Sequence, residues 1–355
     1  MALGSVLHSR QVFSTAFQFA YPFTVFSVAV LLLWLARESE RRYALLGLGV
    51  GLGLCLGFLI QPVGVVEGEP LKSSLGIGLA LIGFSLFAYL RLPIPVGSAG
   101  AVLVGTMFIL GDVRNLGAAC ITAGAVLFGA SGMRRKMRLG GLWTGIVVVL
   151  IGVVAALVTV QVYSFAASSG VLGDEAKLKY ERQHSVSGGL LVAGRPEVVI
   201  SYTAIASEPL VGRGANPRAT FTERSDAINL LLKSGRAVTD NDVERLTGHI
   251  INSHSVALSW WVMLGVGGFF VWLAFLALLL VASVLALIGR SSLAILITFA
   301  AVQTSWDMFF SPWNARNESL WGIYVAIAVY CIWRFAKSDK RSSAVSVVGI
   351  EIEHR

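Results

Sequence analysis

The sequence predicts an all-α polytopic membrane protein, about nine transmembrane helices carrying one large, mainly helical extracytoplasmic loop, and three observations lead there. Of 355 residues, 55% are hydrophobic and 14% charged. The mean hydropathy is +0.75, which leaves too little polar surface to coat a soluble domain. The apolar residues fall into about nine runs near the ~20 residues that cross a hydrocarbon core of ~30 Å. Residues 166–253 alone are polar enough to lie outside it. A helical membrane domain with one excursion into water also satisfies the backbone, because a helix pairs its own amides and carbonyls in lipid.

In chain order the runs lie near 17–36, 43–60, 75–90, 96–110, 116–130, 142–165, 255–288, 293–310 and 320–335. Further runs follow the first, which marks it as a span and not a cleaved signal peptide. The fourth and fifth are short and suit a tilted hairpin. The resulting partition is 1–165 for N-terminal spans, 166–253 for the loop, 254–336 for C-terminal spans and 337–355 for a tail. Cys55, Cys120 and Cys331 all fall inside spans, as small buried apolar residues do.

The loop has the signals of short helices. Pro196 suits a first helical turn, Val198 to Ala206 have amphipathic spacing, and Pro209 after Glu208 stops the helix. A glycine-rich turn, GRGANP, follows with Arg213 and Arg218 at its ends. A second helix is expected from Glu223 to Lys233. A third starts at TDND, with Thr239 as cap and Asp242 answering it, and leads to His249 and His254. Gly265, Gly267 and Gly268 are placed to let a short outer helix bend into the seventh span.

Basic residues set the orientation. Alternate connections and the tail hold Arg37, Arg41, Arg42, Arg91, Arg134, Arg135, Lys136, Arg138, Arg290, Arg334, Lys337, Lys340, Arg341 and Arg355, against Arg10, Lys72, Arg114 and Arg316 on the other side. The first group is expected in the cytoplasm, so the N-terminus and the loop lie outside and the C-terminus inside. The loop's basic and acidic residues balance, so the formal +8 charge comes from the cytoplasmic fringe and calls for no nucleic-acid partner.

The span centres carry essentially no ionisable residue, which disfavours a proton-coupled transporter. Polar equipment gathers near the outer boundary instead: Arg114, Asp307, the loop and His254. Two arginines beside a glycine-rich turn can hold phosphate through forked donors and backbone amides; they can equally pair with the loop's carboxylates. His254 suits a base near neutral pH, or a hydrogen-bonding residue at the interface. His184, His249 and His254 lack metal-ligand spacing and have no cysteine nearby, so no metal site and no cofactor is expected.

The order of these pieces, over residues 108–321, resembles the O-antigen ligase and O-antigen polymerase family of bacterial membrane glycosyltransferases. GDVRNLGAACITAGAVL opens a span on Arg114, as the family's Ser-Arg-Gly motif does, with Asp112-Val113 in place of Gly-Ser. AGRPEVV corresponds at Arg195 to its Ser-Gly-Arg. EPLVGRGANPRATF is similar to its Pro-Leu-Leu-Gly-Val-Gly-Pro-Gly segment, with Arg213 where a small apolar residue is common. INSHSVALSWWVMLGVGGFFVWL resembles its Ala-His-Asn, with Ser255 replacing the asparagine. Family members usually have additional N-terminal spans, so the expectation is a compact member or a truncated start.

The resemblance implies transfer of a glycan from an undecaprenyl (polyprenyl) diphosphate carrier to a hydroxyl acceptor at the outer face of the bacterial inner membrane, without metal or nucleotide sugar. The acceptor is expected to be lipid A–core, as in O-antigen ligation; the alternative is a second glycan, as in polymerisation. It further implies His254 as general base and Arg114 and Arg195 stabilising the diphosphate, with Arg213, Arg218 and Asp307 binding substrate around them. Membrane lipids are the other partners. From another class, a lipid or polysaccharide transporter would show internal repeats and midplane polar residues, and a non-catalytic scaffold would not need the arginines.

Overall fold

The computed structural model of the chain describes residues 12–60, 74–111, 113–136, 141–174, 177–178, 180–181, 196–214, 216–235, 238–247, 250–251, 253–311 and 316–352. Among the described residues all regular structure is helical. The helices are α1 (Val12–Ala36), α2 (Glu40–Ile60), α3 (Ser74–Tyr89), α4 (Ile94–Leu110), α5 (Arg114–Lys136), α6 (Gly141–Ser168), α7 (Pro196–Ser207), α8 (Phe221–Lys233), α9 (Asp240–Thr247), α10 (Val256–Leu264), α11 (Val266–Ile288), α12 (Ala294–Phe310) and α13 (Arg316–Ile352).

Every apolar run expected from the sequence lies in helix, but not every one is long enough to cross. Five stretches have the length and composition for it among the described residues: Glu40–Ile60, Arg114–Gly132, Gly145–Ser168, Val266–Ile288 and Leu320–Ser338. Helices α3, α4 and α12 are apolar but shorter, at 16, 17 and 17 residues. At ~1.5 Å per residue they reach only ~25 Å, short of a ~30 Å core unless the bilayer thins around them. The run 255–288 is not one helix; it is broken at Gly265 into α10 and α11.

The chain divides into two compact units. One comprises Met1–Thr24, Val158–Leu276 and Thr304–Glu318; the other comprises Val25–Leu157, Ala277–Gln303 and Ser319–Arg355. The second holds two helix hairpins, α2 with α3 and α4 with α5, in which glycine brings backbones together. A Cβ built at Gly105 would lie 2.6 Å from the Gly117 carbonyl oxygen, and one at Gly117 equally close to that of Gly105. Gly51 and Gly78 are related in the same way at 2.8 Å. Lipid gives helices no hydrophobic reason to associate, so such close backbone packing is what holds spans together.

One carboxylate gathers three segments of this unit. Glu40, the first residue of α2, pairs with Arg334 of α13 and accepts hydrogen bonds from the Ser291 and Ser292 hydroxyls at 2.5 and 2.8 Å. Nearby, Lys337 reaches both Glu38 oxygens at 3.0 Å, and the Tyr43 and Tyr330 rings lie 4.5 Å apart. Arg37, Arg91 and Arg290, each just beyond a helix C-terminus, have φ of 48, 53 and 54°. Glycine would take that left-handed conformation without the ~1–2 kcal/mol that a Cβ adds.

In the first unit α7, α8, α9 and α10 enclose a small core that includes Ile200, Ala204, Ala227, Leu231, Leu246 and Val262. The helix starts are capped as the sequence requires. Thr239 and Asp242 bond reciprocally at α9, as expected, and Thr220 and Glu223 form the same box at α8. Helix α8 thus begins at Phe221, two residues before the expected start, because Glu223 is the third residue of the helix and closes the box from inside.

Gly105→Val is expected to drive a side chain into the Gly117 carbonyl and lower stability by about 1–3 kcal/mol, read as a fall in Tm of the detergent-solubilised protein. Gly49→Ala, where a Cβ meets nothing within 4 Å, should leave Tm unchanged or raise it.

Candidate functional site

The site begins with an interrupted helix. Breaking an apolar helix exposes carbonyls at one end and amides at the other, which is costly where water is scarce. Here the glycine-rich segment fills the gap: the Arg213 and Gly214 amides donate to the Val262 and Met263 carbonyls at 2.7 and 2.9 Å, and the Val266 amide donates to the Pro209 carbonyl at 3.0 Å. Gly212 and Gly265 both have positive φ, and a Cβ at Gly265 would lie 2.0 Å from the Leu210 carbonyl oxygen. Only glycine allows the two turns to lie backbone to backbone. At Gly265 the chain reverses, so that α10 folds back on the first turns of α11: the Trp260 ring meets Trp272 at 5.3 Å and Trp261 meets Phe269 at 4.6 Å.

The reversal places His254 just ahead of α10, between two buried serines. Ser253 shares a 2.6 Å hydroxyl contact with Ser201 of α7. Ser255 caps α10 by accepting from the Leu258 amide at 3.2 Å, and its hydroxyl donates to the Met308 carbonyl of α12 at 2.9 Å. Ser255 thereby ties His254 to the end of α12 that carries Asp307, which is buried and accepts from Ser311 at 2.7 Å. His254 Nδ1 lies 3.8 Å from Glu197 Oε1; the imidazole is 35% exposed and the carboxylate 8%. That is ion-pair range, longer than a hydrogen bond. The contact sets a buried carboxylate on the Nδ1 side of the ring.

Glu197 is the residue that sequence reasoning passed over. It lies in the first turn of α7 and shares the buried face with Ser201, Ala204 and Ile205, at the i, i+4, i+7, i+8 spacing of one helix flank. A lone carboxylate on an apolar flank was the available signal.

The expected arginines have different surroundings. Arg213 is 9% exposed and committed to Glu223: one terminal nitrogen donates to Glu223 Oε2 at 2.7 Å and to the Arg218 carbonyl at 2.9 Å, and the other bonds Glu223 Oε1 and the Ser207 hydroxyl. Its fork stitches the glycine-rich turn to α7 and α8, so the bland alternative of pairing with a loop carboxylate holds for this residue. Arg218 is exposed in the same turn. Arg114 opens α5 and is half-buried in the other unit. Arg195, His184 and His249 lie outside the described residues. Among the described residues no group of three or more His, Cys, Asp or Glu side chains comes together around a possible metal position.

Burial opposes ionisation of Glu223 and is the largest single influence on it. The hydrogen bonds from Arg213, Ser207 and the Thr220 amide, with the Arg213 charge, outweigh it and hold the carboxyl below its usual range.

No family model matches the chain, and no match to it was found among curated proteins or solved structures.

A folded-state pKa below the unfolded value makes the Arg213–Glu223 contribution to stability complete above about pH 4.3 and lost as pH falls through the folded value. Glu223→Gln is therefore expected to unfold at lower temperature than the parent at pH 7, and the gap in Tm should close as the pH is lowered toward 3, measured by thermal unfolding in detergent.

Proposed function

We propose that this chain is a metal-independent membrane glycosyltransferase of the O-antigen ligase or polymerase type. It moves a glycan from a polyprenyl diphosphate carrier to a hydroxyl acceptor, with the lipid A–core as the preferred acceptor. One observation carries this reading: the imidazole of His254, backed by the buried Glu197 carboxylate, stands between two anchored serines where the chain leaves the helical cluster for the apolar α10–α11 segment. A base held there meets substrates that are themselves tethered to lipid.

In this reading all nine apolar segments cross the bacterial plasma membrane, the shorter ones through locally thinned bilayer, and the cluster formed by α7, α8 and α9 lies on the outer face. The acceptor hydroxyl attacks the anomeric carbon and passes its proton to His254 Nε2, while Glu197 stabilises the imidazolium. The bond from the anomeric carbon to the phosphate oxygen breaks, and the diphosphate leaves with the electron pair. The resemblance assigns stabilisation of its developing charge to Arg195 and Arg114, the task a metal performs in other transferases. Arg213 acts by holding the glycine-rich turn. Asp307 binds substrate as an acceptor of hydrogen bonds from sugar hydroxyls.

The test is an assay in proteoliposomes with a polyprenyl-diphosphate glycan and either lipid A–core or a second glycan as acceptor. His254→Ala should retain size-exclusion profile and Tm while transfer falls about 10²–10⁴-fold; Arg195→Ala should abolish it, and Glu197→Gln should give an intermediate loss. EDTA should have no effect. Normal transfer by His254→Ala or Arg195→Ala removes the mechanism, and product with the second glycan alone makes the protein a polymerase.

A further inference from the structure

The helical cluster exposes apolar side chains at one tip. Leu210 is 71% and Val211 50% exposed, in a turn that is held firmly: the Pro209 carbonyl accepts from the Val266 amide at 3.0 Å and from Trp261 Nε1 at 2.8 Å. The Trp261 ring lies 4.6 Å from Phe269, and Phe269 lies 5.9 Å from Phe270. Phe270 and Val271 are 60% and 50% exposed on the outer flank of α11. An apolar path therefore runs from the 209–212 turn onto the flank of α11, a helix long and apolar enough to cross a membrane.

The depth of that path follows from helix length. Helix α11 has 23 residues and is the most apolar of the five candidate crossings. At ~1.5 Å per residue it reaches ~34 Å, enough for a core of ~30 Å, so in a crossing α11 the first residues lie near the boundary between acyl chains and headgroups. The 209–212 turn, bonded to Val266, sits at that level. Its backbone is suited to the position, because Pro209 O and the Arg213 and Gly214 amides already have protein partners and are not stranded by loss of water. Trp261, with its N–H bonded and its ring against Phe269, has the amphipathic character of indoles in interfacial belts.

We propose that the 209–212 turn is a bilayer anchor, with Leu210 and Val211 seated among the lipids at the headgroup–acyl boundary. The occupant is lipid because the exposed tip continues the lipid-facing flank of α11. The anchor holds the helical cluster down on the membrane surface, and it stands whether or not the chain transfers glycans.

Single cysteines at Leu210, Val211 and the exposed Asp226 of α8, introduced with Cys55, Cys120 and Cys331 replaced by alanine, are labelled with an environment-sensitive fluorophore in phosphatidylethanolamine–phosphatidylglycerol vesicles. Phospholipid brominated near the carbonyl end of its acyl chains should quench the labels at 210 and 211 at least about twofold more than at 226, and aqueous iodide should do the reverse. Equal iodide quenching at all three, with no added effect of bromolipid at 210 or 211, overturns the proposal. In the unsubstituted chain, a phospholipid with an acyl-chain diazirine should form adducts on the peptide containing Leu210 and Val211 as well as on α11. Adducts on α11 alone also overturn it.

Discussion

The first unit depends on one requirement, that an apolar helix interrupted along its length must find partners for the peptide groups it leaves open. At Gly265 the α10 carbonyls and the α11 amide would otherwise be unpaired. They are answered by backbone from a segment about fifty residues earlier, which lies flush because Gly212 and Gly265 carry no Cβ. The rest follows from this docking. It fixes the C-terminal end of α10, Ser255 holds the N-terminal end beside His254, and the Arg213 fork, anchored by the same segment, ties α7 to α8.

Much of the fold was legible because membrane helices announce themselves by composition, and because caps use a small vocabulary. The apolar runs all proved helical, and the Thr239–Asp242 box stands as spacing required. What length alone cannot supply is whether a short apolar helix crosses; α3, α4 and α12 are read from sequence as spans because hydropathy does not measure thickness. The glycine-rich turn was visible, but its purpose was not. A segment able to receive an anion through its amides is equally able to receive carbonyls, and spacing does not distinguish the two. Glu197 was missed for a similar reason, since an acid near a helix start has a local explanation that hides its tertiary one.

The arginines at three helix ends show a different conflict. Arg37, Arg91 and Arg290 adopt a backbone conformation that glycine would take more readily, all on connections where the sequence concentrates positive charge. Local geometry argues for glycine and the charge pattern for arginine, and the charge pattern prevails at each of them. Glu40 performs the complementary task, drawing the α11–α12 connection and α13 to the start of α2.

The reversal at Gly265 also bears on how the chain is made. Residues 256–288 read as one uninterrupted apolar stretch, and composition alone does not announce the break. Synthesis from the N-terminus, however, delivers Pro209 to Gly214 first. The partners of the bend are thus made before the bend itself, and the break at Gly265 can close on a segment that already exists.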